Sequence, residues 1–169
     1  MRLLVKNLVF TIIVPGAVAV LVPRRILERW PTSDGAVPWL LSAGGLVAVL
    51  AGASLYASAL ATFAFVGGGT PAPVDPPRHL VVTGPYRSMR NPMYIGVTLL
   101  LAGEALYFAA PSLAIYTVAC FAAFHAFVVL YEEPRLRRQF GDEYAAYRAS
   151  TPRWMPSAGT ASAPPIDMH

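Results

Sequence analysis

The sequence predicts an all-α integral membrane protein, a helical bundle of about four transmembrane helices followed by a C-terminal amphipathic helix on the membrane surface. Three observations support this fold class. Of the 169 residues, 56% are hydrophobic and only 13% are charged, which is too apolar for an ordinary soluble domain. The apolar residues form several long runs separated by polar segments, as in membrane-spanning helices. The arginines lie mostly outside these runs, where they would meet anionic headgroups.

The first predicted helix covers residues 3–22, which are apolar except for one lysine and one asparagine. A signal peptide would have a similar length, but Pro23-Arg24-Arg25 follows where small residues would mark a cleavage site. We therefore expect a transmembrane helix, bent near Pro15-Gly16, and then a polar connector over residues 24–37. The uninterrupted apolar part, residues 8–22, is short for a full span.

The second predicted helix covers residues 38–66, which is long enough for a tilted membrane span. Small residues recur along it, and Gly45 and Ala53, two turns apart, would let another helix approach closely. The first two helices make residues 1–66 an N-terminal transmembrane unit. Its nearly all-apolar side chains suit a lipid-like ligand.

Two further apolar runs predict a helical hairpin. Residues 67–91 form a loop rich in glycine and proline, after which the third span is expected over residues 93–110 and the fourth over residues 113–131. Only Pro111-Ser112 separates the two spans. So short a connection forces the two helices to run antiparallel.

A charged and aromatic segment follows the fourth span. Phe140, Tyr144 and Tyr147 are three and four residues apart, which predicts an amphipathic helix on the membrane surface. We assign residues 67–156 to a second unit, made of the loop, the hairpin and this helix, which carries the candidate functional residues described below. Residues 157–169, rich in Ser, Ala, Gly and Pro, are predicted to be a disordered tail.

The basic residues predict the orientation of the chain. An arrangement with residues 67–91 and both termini in the cytoplasm places only Arg24, Arg25 and Arg29 on the outer side. We expect a protein of a bacterial or archaeal cell membrane whose functional site faces the cytoplasm. Membrane lipids are its expected partners. No nucleic-acid-binding module occurs in the sequence, and no obligate protein partner is evident.

The segment that follows the loop reads Gly-Pro-Tyr-Arg-Ser-Met-Arg-Asn-Pro-Met-Tyr-Ile-Gly and begins at Gly84. Within it, Asn91 at an N-cap and Pro92 at the first helical position predict the start of the third helix. The free N–H groups of that turn, with Arg87 and Arg90 beside them, would hold a carboxylate or phosphate at the membrane surface. Alternatively, the arginines only anchor the helix at the headgroups.

An antiparallel hairpin brings residues 90–94 and the Glu132-Glu133 pair to the same face of the membrane. His125 precedes Glu132 by two helical turns, which would place its imidazole beneath that carboxylate. Glu104 lies deeper in the third helix. Ionisable groups inside a membrane are costly and are functional candidates by default. The alternatives are a helix-packing carboxyl for Glu104 and a satisfied core histidine for His125.

Other chemistries fit these residues less well. No further histidine or cysteine lies at ligand spacing from His125 and the two glutamates, so we expect no metal site. The single cysteine, Cys120, lies within the fourth span, and no serine occupies a nucleophile elbow.

Two motifs in this sequence resemble those of a known group of enzymes. Gly-Pro-Tyr-Arg-x-x-Arg-Asn-Pro-Met-Tyr-x-Gly is followed downstream by Glu-Glu-Pro-x-Leu-x-x-x-Phe-Gly-x-Glu-Tyr-x-x-Tyr and then by Pro-Arg-Trp-x-Pro. Over residues 71–156 the chain resembles the isoprenylcysteine carboxyl methyltransferase and phospholipid methyltransferase superfamily. The resemblance implies that S-adenosylmethionine binds near the cytoplasmic surface, while a lipid-like acceptor enters from the bilayer.

Carried over residue by residue, the resemblance implies cofactor-binding positions in both motifs and at the histidine between them: Tyr86, Arg90, Asn91, Pro92, Tyr94, Gly96, His125, Glu132 and Glu133. Asn91 departs from the pattern, because the better-known members have histidine there. An amide cannot take up a proton, so we expect no acid or base role at this position.

The chemistry of this cofactor agrees with the residues. Arg90 and the helix start would take its carboxylate, Glu132 or Glu133 its ribose or ammonium group, and Tyr94 would lie near its sulfonium. Methyl transfer is an in-line displacement from an activated donor. The protein therefore mainly positions the two reactants and excludes water.

The expected function is S-adenosylmethionine-dependent methyl transfer to a membrane-embedded, lipid-like acceptor, with an isoprenoid-type or small carboxylate as the first choice. The alternative acceptor is a phospholipid amine, which must first lose a proton to Glu104 or His125. Together with Arg90, these two are the candidate catalytic residues. The non-enzymatic alternative is a membrane scaffold or small-molecule carrier.

Overall fold

The computed structural model describes residues 15–30, 32, 37–67 and 79–155. Its α-helices are α1 (Val22–Arg29), α2 (Trp39–Thr62), α3 (Pro92–Tyr107), α4 (Pro111–Phe127) and α5 (Glu133–Ser150). π-helical turns precede α1 (Ala17–Leu21), follow α2 (Phe63–Gly67) and join α4 to α5 (Val128–Glu132). No strand occurs in the described part of the chain, so the all-α prediction is confirmed.

Two continuous helical stretches, Trp39–Gly67 and Pro111–Ser150, are long and apolar enough to cross a membrane. The apolar part of the second stretch ends at Tyr131, before the charged helix α5. α3 is also apolar but has 16 residues, fewer than the ~20 of a full span. The outer faces of α2 and α4 expose large apolar side chains such as Val47 and Ile115. An apolar surface of this kind is typical of a membrane bundle.

The first predicted span, residues 3–22, lies largely outside the described residues, and its described end, residues 15–22, is helical. The predicted connector over residues 24–37 was wrong at its start, because α1 continues to Arg29. Arg24 and Arg25 pair with Glu28 at 3.0 and 3.4 Å, a spacing that favours a helix. Residues 68–78 of the predicted loop and the whole of the predicted tail, residues 157–169, fall outside the described residues.

Glycines let α2 and α3 pack along each other at very short distance. A Cβ on Gly45 would lie 2.5 Å from the backbone nitrogen of Tyr107, and one on Gly52 would lie 2.6 Å from the carbonyl oxygen of Gly96. The predicted close approach at Gly45 is confirmed. Its expected second member was wrong, since Ala53 is exposed and Gly52 takes that role.

A tight turn makes α3 and α4 an antiparallel hairpin. α3 ends at Tyr107 rather than at the predicted residue 110, because Ala109 adopts a left-handed backbone conformation with φ 46°. Pro111 then starts α4. The hairpin places the start of α3 and the end of α4 at the same end of the bundle.

α5 is the amphipathic helix predicted after the fourth span, and it bends at Gly141, where φ is 51°. Its aromatic face covers the protein rather than the lipid. Tyr144 is only 2% exposed, and the Tyr147 hydroxyl donates a 2.7 Å hydrogen bond to the backbone carbonyl of Tyr86. α5 therefore closes the polar end of the hairpin.

Candidate active site

A short 3-10 turn, Gly84–Arg87, shapes the loop before α3. Gly84 has a φ of 57°, a left-handed conformation that favours glycine. Tyr86 follows and is buried, with 7% of its surface exposed, in a cluster with Ala59 of α2. The predicted cofactor-binding residue Tyr86 thus lies in the core, and its carbonyl holds Tyr147 of α5.

The start of α3 is attached to the turn that follows α5. Pro92 occupies the first helical position and Asn91 the N-cap position, as predicted, but the Asn91 side chain makes no capping hydrogen bond. Its Nδ2 instead donates to the carbonyl of Arg153 at 3.2 Å. The Arg90 backbone N–H donates to the carbonyl of Pro152 at 2.9 Å. The first-turn N–H groups of α3 are therefore left without a side-chain cap.

Glu133 is the centre of a buried ionic cluster. Its Oε1 accepts hydrogen bonds from Arg90 Nη1 at 3.0 Å and from Arg153 Nε at 2.7 Å, and its Oε2 accepts one from Arg153 Nη2 at 3.0 Å. Arg90 also donates to the Tyr144 hydroxyl at 3.1 Å. The side chains of Arg90 and Glu133 are only 8% and 6% exposed. A carboxylate this deeply buried requires such partners.

The arginines keep the buried carboxylate of Glu133 ionised. Burial alone would raise its pKa, but the hydrogen bond from Arg153 and the charges of Arg90 and Arg153 together lower the pKa below its ordinary value of 4.5. The same hydrogen bond raises the pKa of Arg153. Both oxygens of Glu133 are thus engaged within the protein.

Tyr94 and Glu132 form a second contact between the two motifs. The Tyr94 hydroxyl, in the first turn of α3, donates a 2.6 Å hydrogen bond to Glu132 Oε1 at the end of the π-helical turn. The Tyr94 ring also lies against Phe124 of α4, with centroids 5.0 Å apart. This bond uses one of the two carboxylate oxygens of Glu132.

His125 lies against the turn that follows α5. Its Nδ1 accepts a 3.2 Å hydrogen bond from Trp154 Nε1, and the Trp154 ring lies 5.1 Å from that of Phe121. The expectation that His125 would lie beneath Glu132 assumed an uninterrupted α-helix. The π-helical turn Val128–Glu132 alters the rotation between them, so His125 meets Trp154 while Glu132 meets Tyr94.

Two predicted site residues lie away from this polar cluster. Gly96 faces α2, where a Cβ would lie 2.9 Å from atoms of Tyr56, so its contacts are those of helix packing. Glu104 lies further along α3, and its Oε2 is buried without a hydrogen-bond partner among the described residues. A buried carboxyl oxygen without a partner is unfavourable, which makes Glu104 a candidate for contact with a ligand.

Three residues of the cluster were not among the predicted site residues: Tyr144, Arg153 and Trp154. Each lies in a motif that the sequence did offer, since Tyr144 belongs to the aromatic spacing of α5 and the other two to the Pro-Arg-Trp-x-Pro run. Composition alone gave no reason to connect that run with Glu133 or His125. Only the fold of residues 151–155 back onto α3 and α4 does so.

Comparison with known proteins agrees with this geometry. The family model of phospholipid methyltransferases matches residues 40–143. These residues include all of α2 except Trp39, the whole α3–α4 hairpin, and both Glu132 and Glu133. No curated protein and no solved structure matches the chain. The match covers more than half of the chain and confirms the membrane methyltransferase class that the motifs predicted. The chain therefore belongs to the phospholipid methyltransferase family.

Proposed function

We propose that the chain transfers the methyl group of S-adenosylmethionine to a lipid-like acceptor in the membrane, at the polar end of the α3–α4 hairpin and on the cytoplasmic side. The observation that supports this function is the pairing of the two motifs. Tyr94 binds Glu132 at 2.6 Å, and Arg90 binds Glu133 at 3.0 Å. Residues far apart in the sequence thus form one polar cluster beside a bundle with a lipid-facing surface.

Glu132 and Tyr94 fit this cofactor best. S-adenosylmethionine presents ribose hydroxyls and an ammonium group, for which a carboxylate is a strong acceptor, and a sulfonium, which favours aromatic contacts. The bond from Tyr94 occupies one oxygen of Glu132 and orients the carboxylate. The adjacent rings of Tyr94 and Phe124 supply aromatic surface.

Arg90 is a positioning residue for Glu133 in this proposal. Its guanidinium is 8% exposed and already bound to Glu133 and Tyr144, so direct contact with the cofactor carboxylate is less favourable than the sequence alone indicates. The uncapped N–H groups after Asn91 are the better site for that carboxylate, because helix N-termini bind anions. Since Glu133 is fully engaged, the ribose contact goes to Glu132.

The chain's own contribution to the reaction is orientation and exclusion of water. The bound cofactor would supply an already activated methyl group, so no protein nucleophile is needed. Glu132 and the start of α3 hold the donor, while the apolar faces of the bundle admit the acceptor from the bilayer. Trp154 packs on Phe121 and is hydrogen-bonded to His125, so the turn that follows α5 covers this part of α4.

A carboxylate is the first acceptor that we propose. A carboxylate needs no base, whereas an amine must first lose a proton. The two candidate bases at the polar end already accept hydrogen bonds, Glu132 from Tyr94 and His125 from Trp154. These bonds reduce their capacity to remove a proton.

A phospholipid amine is the second candidate. The description of the matching family favours it. Glu104, the base predicted within α3, lies further along this helix than Tyr94 by ten residues, about 15 Å at 1.5 Å per residue. An ammonium headgroup at the polar end would therefore lose its proton to Glu132 or His125 instead.

The test is methyl transfer by the full chain in lipid vesicles, with S-adenosylmethionine labelled in its methyl group. A prenylated cysteine with a free carboxylate and phosphatidylethanolamine are offered separately. Label released as methanol by mild alkali identifies a methyl ester, and label that resists alkali identifies N-methylation.

Glu132→Gln should weaken cofactor binding about tenfold, the effect of losing a charge-assisted hydrogen bond. Glu143→Gln, on the exposed part of α5, is the matched control. Absence of cofactor binding by the folded protein would reject the proposal.

A further inference from the structure

A basic pocket opens beside the ionic cluster, on the side of the turn that follows α5. Its volume is about 540 Å³. Arginines of three elements line it together with the end of α5 and an exposed methionine: Arg90, Arg148, Ser150, Thr151, Arg153 and Met155. Glu132, Tyr94 and His125 do not line this pocket.

The pocket has an excess of positive charge. Glu133 is the carboxylate bound to its arginines, and it engages Arg90 and Arg153. Arg148 is exposed and forms no ion pair with any residue that the structure describes. Three guanidinium groups therefore face one carboxylate, which leaves two net positive charges. The C-terminus of α5 adds only about half a negative charge, so the pocket remains cationic and favours an anion.

Arg90 provides a second, independent indication of a ligand. Its side chain is 8% exposed, and its Nε is buried without a hydrogen-bond acceptor among the described residues. A buried donor of a charged group without an acceptor is costly. An oxyanion in the pocket that Arg90 lines would supply this acceptor after a small shift of the Arg90 side chain, because Nε itself has almost no exposed surface. Guanidinium groups bind such anions in a forked geometry.

The position of the pocket indicates which oxyanion is available. Arg90 lies two residues before Pro92, where the apolar helix α3 begins, so the pocket is at the depth of the lipid headgroups. Met155 at its rim is 74% exposed and offers apolar contact next to the charges. Phosphate is the anion that headgroups present at this depth.

We propose that the pocket lined by Arg90, Arg148 and Arg153 binds a phosphate group, either of a membrane lipid headgroup or as a free phosphate. Arg148 is its main contact, because Arg90 and Arg153 are already bound to Glu133. The site lies beside the proposed methyl-transfer site and uses Arg148 and the end of α5, which that reaction does not require. Phosphate binding therefore does not depend on the proposed function.

The experiment measures binding by calorimetry to the full chain in a neutral detergent, with inorganic phosphate and dihexanoyl phosphatidylglycerol as separate probes. Arg148→Gln should weaken the affinity for whichever probe binds about tenfold, because the substitution removes one charge-assisted contact. Arg138→Gln removes an exposed arginine of the same helix that does not line the pocket, and it should bind like the unmodified protein. Binding of phosphatidylglycerol alone would identify a headgroup site, and binding of inorganic phosphate alone a site for the free anion.

Three results would overturn the proposal. The first is no binding of either probe by the folded protein. The second is equal binding by the unmodified protein, Arg148→Gln and Arg138→Gln. The third is displacement of the bound probe by S-adenosylmethionine, which would assign the pocket to the cofactor carboxylate. Because the probes contain no methyl donor, failure here leaves the methyl-transfer assay unaffected.

Discussion

Arg153 binds both carboxylate oxygens of Glu133, at 2.7 and 3.0 Å, from the turn that follows α5. The same residue accepts a hydrogen bond from Asn91 through its backbone carbonyl. One residue after the last helix thus fixes both the start of α3 and the start of α5. The polar end of the hairpin is therefore held together by a segment that lies outside the hairpin.

Arg153→Gln should destabilise the fold. Glu133 is 6% exposed and would keep only Arg90 as a charged partner, and a buried carboxylate that loses a guanidinium is strongly disfavoured. Because Arg153 is itself 27% exposed, we expect a loss of about 2 kcal/mol rather than the full cost of a buried pair. Thermal unfolding in neutral detergent should show a midpoint lowered by about 4–8 °C. Arg138→Gln serves as control, and equal midpoints for both variants would contradict the structural role of Arg153.

Acid should weaken the same cluster. The pKa of Glu133 is lowered in the folded protein from its ordinary value of 4.5, so the folded state binds a proton less readily than the unfolded state. The resulting stability is fully present above about pH 4.5 and is lost as the pH falls below that value, through the pKa of the folded state. Unfolding midpoints measured between pH 6 and pH 3 should fall most steeply below pH 4.5. Glu133→Gln should start lower and show a flatter profile, and an equally steep profile in this variant would assign the acid sensitivity to other groups.

The juxtaposition of the two motifs could be predicted from the sequence, because the connection between the two apolar runs at Pro111-Ser112 is so short that it allows only a tight antiparallel turn. That geometry brings residues 90–94 to the same end of the bundle as Glu132 and Glu133, and the packing then selects the pairs Arg90–Glu133 and Tyr94–Glu132. The start of α3 at Pro92 was equally predictable, since proline is favoured at the first helical position.

Other features of the site and the fold could not be predicted from the sequence. They depend on small changes in the rotation of a helix and on contacts between distant parts of the backbone. The π-helical turn Val128–Glu132 alters the rotation between His125 and Glu132, and no residue type marks such a turn. The bond between Arg153 and Glu133 depends on how the chain turns after Ser150, which no periodicity encodes. Likewise, which glycines of α2 meet α3 depends on the rotation of both helices.

A matched pair of glycines tests the packing of α2 on α3. Gly45→Ala would place a Cβ 2.5 Å from the backbone nitrogen of Tyr107 and 2.6 Å from the carbonyl oxygen of Gly103, whereas a Cβ on Gly44 meets nothing within 4 Å. Backbone atoms cannot move aside as a flexible side chain can, so Gly45→Ala should cost about 1–3 kcal/mol. Gly44→Ala should be neutral or slightly stabilising, because alanine favours the helix. Unfolding in neutral detergent measures both variants, and equal stability would refute the close approach.

Tyr94→Phe tests the contact that supports the proposed function. The variant keeps the ring against Phe124 but removes the 2.6 Å hydrogen bond to Glu132. A carboxylate without its orienting donor should bind the cofactor less well, and we expect kcat/KM for methyl transfer to fall about tenfold, equivalent to ~1.4 kcal/mol.

Tyr107→Phe is the matched control at the opposite end of α3, where the hydroxyl makes no hydrogen bond to a described residue and the side chain is 44% exposed. Unfolding midpoints of the two variants are compared first, so that a loss of activity is not a loss of fold. Full activity of Tyr94→Phe would show that the hydrogen bond that orients Glu132 is not needed for methyl transfer. An equal loss of activity in both variants would show that the effect is not specific to the paired motifs.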